Sequence, residues 1–214
     1  MVEIDESVEV AAGGVSLGGH LTVPIDAKGT VIFVHGSGSS RHSPRNRQVA
    51  AALNRASLGS FLFDLLTPDE EGERSNVFDI GLLAARLIEV TGWLTSYDAR
   101  PRKRIGYFGA STGAAAALWA AAEPGVGVAA VVSRGGRPEL AGQRLVEVRA
   151  PTLLIVGGLD AAVLDLNRAA FAELRCLKML EVVPGASHLF EEPGALDRVA
   201  ELAGAWFTRH LVSG

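Results

Sequence analysis

The feature that most constrains this chain is an alternation. Short runs of β-branched and aromatic residues give way, again and again, to longer amphipathic stretches. Thr30 to Val34 (T-V-I-F-V) is apolar after its first residue, as strands buried on both faces of a parallel sheet tend to be. Residues 44 to 56 then predict a helix, with Ser43 as N-cap and Pro44 at the first position. The unit recurs. Gly59 to Leu65 reads as a strand and Phe78 to Thr95 as a helix. Arg104 to Phe108 is a strand, followed by an Ala-rich helix from Thr112 to Ala122. Val128 to Val132 is a strand before a short helix near 139 to 145. Thr152 to Val156 precedes a helix over 161 to 175, and Lys178 to Val183 precedes one over 193 to 211. Strands joined through helices lie parallel, and right-handed crossovers place the helices on both faces of the sheet. Residues 7 to 23 differ: they read as two strands around Gly13-Gly14, an antiparallel hairpin at one edge. The expected architecture is a three-layer α/β sandwich around a mostly parallel eight-stranded sheet. Such sheets bind ligands beyond the carboxyl ends of their strands, so the chemistry is sought just after each strand.

Composition narrows the function. With 214 residues and 48% hydrophobic content, the chain is long enough for one full core, and no repeat or linker divides it, so residues 1–214 are expected to form a single domain. The formal net charge of −4 offers no basic face, so no nucleic-acid partner is expected. The one cysteine, Cys176, excludes an internal disulfide and metal sites of cysteine type. Neither a signal-like N-terminus nor a run of 18 apolar residues is present, so the expectation is a soluble, cytoplasmic protein with no membrane span.

After the strand at Arg104 the sequence reads G-Y-F-G-A-S-T-G. Gly109-Ala110-Ser111-Thr112-Gly113 matches G-x-S-x-G between a strand and a helix. A sharp turn there projects the Ser111 hydroxyl above the sheet, and its strain demands small residues two positions either side. The helix N-terminus aims its positive dipole end at the site, which favours a developing anion. Serine is a weak nucleophile without a base. His188, in G-A-S-H-L-F, follows the last strand, and Asp160, in G-G-L-D, follows the one before it. Ser, Asp, His is the chain order of a nucleophile, acid and base on such a sheet. Simpler readings exist for each: a loop histidine, and a helix N-cap at Asp160. The coincidence of all three after the right strands outweighs them. Asp64, after the Gly59 strand, is a rival for the acid position. Ser37, Ser39 and Ser133 are rival hydroxyls, but none lies between flanking glycines at a strand-to-helix turn.

Val34-His35-Gly36-Ser37-Gly38-Ser39-Ser40 is a Gly-rich loop that can present a backbone N–H to a substrate oxyanion. Ser37 is the expected donor there, with Gly38 as a substitute, and Thr112 supplies the second N–H. His35 is expected to anchor the loop rather than to touch substrate. Arg41, Arg45 and Arg134 lie near the predicted rim as candidate substrate-binding residues, because a guanidinium fork matches a carboxylate or phosphate. The plainer reading gives the arginines salt bridges that tie loops together, with Asp64, Asp69 or Glu192 as partners.

Together H-G-S-G-S-S, G-A-S-T-G, G-G-L-D and G-A-S-H-L-F make the chain resemble the dienelactone-hydrolase-like branch of the α/β-hydrolase superfamily. The resemblance covers nearly the whole chain. It is most specific to a bacterial subgroup with S-S-R-H-S-P-R-N after the oxyanion loop and V-V-S-R-G-G-R-P after the sixth strand. Members of that subgroup are sometimes fused to a phosphoribosyltransferase-like domain, and no such domain is read in this chain. The resemblance implies an α/β-hydrolase sandwich whose Ser111, His188 and Asp160 form a triad without metal or organic cofactor. One departure matters: dienelactone hydrolases use a cysteine nucleophile, whereas the elbow here holds Ser111 and Cys176 lies far from it. The short connections leave no room for a lid domain. The expected activity is therefore that of a serine hydrolase on small or accessible carboxylic esters. A thioesterase or acyltransferase with the same triad, or a non-catalytic binding domain on the same scaffold, are the alternatives. No motif speaks to oligomeric state.

Overall fold

The computed structural model describes residues 1–97 and 104–212. In chain order the strands are β1 (Val2–Ala12), β2 (Val15–Pro24), β3 (Gly29–Val34), β4 (Gly59–Phe63), β5 (Arg104–Ala110), β6 (Ala130–Arg134), β7 (Thr152–Gly157) and β8 (Lys178–Val183). They form one sheet ordered β1-β2-β4-β3-β5-β6-β7-β8. The hairpin β1–β2 is antiparallel, and β2 also pairs antiparallel with β4; every other pairing is parallel. The helices are α1 (Pro44–Arg55), α2 (Pro68–Glu71), α3 (Arg74–Val77), α4 (Ile80–Tyr97), α5 (Thr112–Ala122), α6 (Ala161–Glu173) and α7 (Ala195–Val212).

Alternate residues of the central strands feed two cores. Ile32, Val34 and Tyr107 point into one, built with α4, α5 and α6. Val31, Phe33 and Phe108 point into the other, built with α1 and α7. This is why β3, β4 and β7 contain no polar face at all: each is buried throughout. The alanines of α5 serve close approach. A Cβ on Gly109 would come within 2.5 Å of Ala114 Cα, so strand and helix touch backbone to backbone.

Three local features depart from the sequence expectation. The hairpin begins at Val2 rather than residue 7, because its polar outer residues hide the β alternation. Two short helices, α2 and α3, fill the connection between β4 and α4. The signal for α2 was present as Thr67-Pro68-Asp69-Glu70: Thr67 caps the helix while Glu70 bonds back to it. The short helix near 139 to 145 is instead a 3₁₀ stretch, Pro138–Glu147, broken at Gly142 where φ is +55°. That stretch is the whole elaboration between β6 and β7, and the sheet carries no lid. Among the described residues, no helix is long and apolar enough to cross a membrane.

Candidate active site

Ser111 sits between β5 and α5 with φ +50° and ψ −123°, a left-handed backbone that a non-glycine residue adopts only when its surroundings enforce it. The enforcement is visible. Its N–H donates to Arg134 O (3.3 Å), and its own carbonyl accepts from the Arg137 N–H (3.0 Å). A Cβ on Gly113 would meet Val34 O at 2.2 Å and His35 O at 2.3 Å, so only glycine fits two residues after the serine. Gly36 also faces Ser111 closely, its Cβ position lying 2.9 Å from Ser111 Cβ. The half-buried hydroxyl therefore stands at the carboxyl end of the sheet, at the N-terminus of α5.

Asp160 and His188 meet. Asp160 Oδ2 lies 2.6 Å from His188 Nδ1. Asp160 occupies the N-cap position of α6, yet its side chain makes no capping bond to that helix. The carboxylate is committed to the imidazole instead, and is the more buried partner, 15% exposed against 38% for the histidine. The His188 loop is pinned from below: Glu192 accepts the Ser187 N–H at 3.0 Å, and the Ser187 side chain first, with that N–H second, holds the Glu192 carboxyl below its usual range. No hydrogen bond joins Ser111 Oγ to His188 among the described residues. Unliganded sites often leave this contact open until substrate arrives. Both residues flank one segment, because the Ser111 N–H reaches Arg134 O while the Cβ position of Gly135 lies 3.6 Å from His188 Cε1.

The Gly-rich loop after β3 is anchored by His35. Its Nδ1 bonds Gly36 O (3.0 Å) and its Nε2 accepts the Leu65 N–H (3.1 Å), which fixes a neutral tautomer. Burial lowers its pKa, as that role requires. The Ser37 N–H donates to Thr112 Oγ1 at 2.9 Å, so the two expected oxyanion donors are neighbours. Beside them lies a cavity of about 130 Å³, lined by Ser37, Thr112 and the apolar Leu65, Leu66, Val77 and Leu83. Its far wall is held by a clamp the sequence reading missed. Arg86, nearly fully buried on α4, donates to Leu65 O (3.0 Å) and bidentately to Glu70 (2.7 and 2.5 Å). The guanidinium drags the Glu70 carboxyl down to about 2. An arginine within an amphipathic helix gave no signal that it would turn inward.

The three candidate rim arginines separate. Arg41 is paired with Asp64, through both its backbone N–H (2.7 Å) and its guanidinium, and lies over the bare backbone of Gly18. That pair also removes Asp64 from competition for the histidine. Arg45 bonds Glu191 at 3.2 Å on the surface. Arg134 is not on the rim: it is buried, 7% exposed, with its guanidinium 6.0 Å from the centre of the Phe190 ring. Among the described residues, no group of three or more His, Cys, Asp or Glu side chains could hold a metal ion.

A doubly wound sheet in this strand order, with a strained serine at a strand-to-helix turn and an Asp–His pair after the last two strands, defines an α/β-hydrolase. The comparisons agree. The chain is 54% identical to a dienelactone hydrolase from Anabaena variabilis of known structure, covering 97% of this chain and 98% of that one with a TM-score of 0.92. It belongs to the dienelactone-hydrolase-like family of α/β-hydrolases. It is also 62% identical over 207 residues to Mycobacterium tuberculosis proteins provisionally named phosphoribosyl transferases. The match takes in 97% of this chain but 47% of theirs, so the chain spans about half the length of those relatives. At the level of fold alone, a Xanthomonas campestris α/β serine hydrolase without a lid matches with a TM-score of 0.80 and 21% identity, over 99% of this chain and 97% of that one. No family model matches the chain.

Proposed function

We propose that the chain is a serine hydrolase that cleaves small carboxylic esters by acyl transfer. The observation that carries this reading is the Asp160 carboxylate, which forgoes its helix cap to bond His188 at 2.6 Å. A carboxylate with only a structural role would cap α6, worth about 1 kcal/mol there. In the proposed reaction Ser111 Oγ attacks the ester carbonyl while His188 takes its proton. Asp160 fixes the imidazole tautomer and stabilises the imidazolium. The N–H groups of Thr112 and Ser37 receive the oxyanion of the tetrahedral intermediate, which displaces the Thr112 hydroxyl from the Ser37 N–H. The alcohol leaves with the proton from His188. Water, activated by the same histidine, then frees Ser111.

The cavity beside the oxyanion donors is the proposed acyl site. At about 130 Å³ it is well below the roughly 300 Å³ of a drug-sized pocket, so short acyl groups fit and long chains do not. Thioesters, or acceptors other than water, would follow the same steps. We assign the transferase name of the longer relatives to the half of those proteins that this chain does not span, since the matching half carries the hydrolase sheet.

The test is hydrolysis of p-nitrophenyl acetate, butyrate and octanoate by wild type and Ser111→Ala. The expected result is turnover of the two short esters, weak turnover of octanoate, and a loss of several powers of ten in kcat on removing the hydroxyl. Equal rates for wild type and variant would sink the reading and favour a binding role on a hydrolase scaffold.

A further inference from the structure

Among the described residues two arginines are buried, and their surroundings differ. Arg86 has a carboxylate and a carbonyl for its terminal N–H groups, and only its Nε lacks a partner. Arg134 has neither: among the described residues its Nε and Nη1 are fully buried without a hydrogen-bond partner, and no ion pair engages it. The charge that acts on it is another cation, Arg45, whose Nη1 bonds Glu191 and whose Nε is likewise buried and unpartnered. Burial first, and Arg45 second, lower the Arg134 pKa to about 10. A guanidinium retained under such conditions is poised for an anion supplied from outside the chain.

Its position is at the chemistry. Arg134 closes β6 directly opposite Ala110, the residue before the nucleophile, on the same side of the sheet. Its carbonyl accepts the Ser111 N–H, and the next residue, Gly135, abuts His188. Phe190, two residues after that histidine, is fully buried at φ +57° and presents its ring to the guanidinium. Arg41 does not share these properties, since it is paired with Asp64.

We propose that Arg134, with Arg45 as the second cation, binds an oxyanion carried by the substrate. The substrate class is then an ester bearing a carboxylate or a phosphate a few bonds from the scissile carbonyl. The proposal builds on the serine hydrolase reading, but its binding step stands apart from turnover.

The experiment combines melting and kinetics on wild type, Arg134→Met, Arg134→Lys and Ser111→Ala. In a buffer free of oxyanions, Arg134→Met should melt above wild type, because an orphaned buried charge is removed. Succinate or inorganic phosphate should raise the Tm of wild type and Ser111→Ala, raise that of Arg134→Lys less, and leave Arg134→Met unmoved. Which anion acts separates the carboxylate from the phosphate. In kinetics, the ratio of kcat/KM for mono-p-nitrophenyl succinate to that for p-nitrophenyl acetate should fall about tenfold or more in Arg134→Met if the anion is a carboxylate. A Tm in wild type that ignores both anions, or an equal response in Arg134→Met, would overturn the proposal. If the esters are not turned over at all, the melting arm still decides it through Ser111→Ala.

Discussion

Asp64 and Asp160 hold similar stations. Each follows a fully buried parallel strand at the carboxyl end of the sheet, Asp64 after β4 and Asp160 after β7, and each side chain is 15% exposed. Their partners differ. Asp64 receives two donors from Arg41 and ties the loop after β3 to β4. Asp160 receives His188 from the loop after β8. The difference comes from neighbours in the sheet. β4 lies beside β3, whose loop delivers an arginine; β7 lies beside β8, whose loop delivers a histidine. A carboxylate at the end of a strand thus meets an arginine or a histidine according to which side chain the adjacent crossover brings to it.

Exchanging each carboxylate for its amide separates the two roles. Asp160→Asn should lower kcat/KM on short esters by about 10³–10⁴, by presenting the wrong partner to the imidazole. Asp64→Asn should keep the rate within a few-fold and lower stability by about 1–2 kcal/mol, measured by denaturant melts. Comparable rate losses in the two variants would erase the distinction. A second contrast concerns the backbone near the same loops. Gly113→Ala places a methyl into Val34 O and His35 O and should destabilise by about 3 kcal/mol. Gly38→Ala, at φ +68° with open space around it, should cost only about 1 kcal/mol.

Two smaller effects concern pH. Glu70 is held down to about 2 by Arg86, so its contribution to stability is full above the ordinary carboxylate range near 4.5 and fades as pH falls toward 2. Glu70→Gln should flatten the stability curve over that window in acid melts. His35 works in a higher window. Burial lowers its pKa, so the unfolded chain takes up the proton first, and stability declines as pH falls below about 6.5. His35→Gln should reduce that slope between pH 6.5 and 5; an unchanged slope would mean that His35 is not the group responsible.

Much of this was legible in the chain. Buried strands announce themselves by uninterrupted apolar runs, and the helices that follow by their period, so α1 and α5 lie within a residue of their expected bounds. The serine was legible because its glycines obey a steric rule: nothing larger fits beside Val34 O or Ala114 Cα. The partner choices of the arginines were not. Whether Arg41 meets Asp64, or Arg134 meets the Phe190 ring rather than a carboxylate of the described residues, depends on which loops the strand order brings together, and a local pattern carries no trace of that. Arg86 was hidden for the same reason, since its partner lies in α2, sixteen residues earlier. The capping box of α2, by contrast, is a local pattern that Thr67 and Glu70 carry in the sequence.

The account turns on Ser111 as a nucleophile activated by the pair behind it. Its most direct test is labelling with a fluorophosphonate, followed by intact mass and peptide mapping, on wild type, Asp64→Asn and His188→Ala. The account predicts one adduct per chain, on Ser111, formed at similar rates in wild type and Asp64→Asn and slowed by orders of magnitude in His188→Ala. No adduct on Ser111 in the folded wild-type protein, or labelling indifferent to His188, would contradict it.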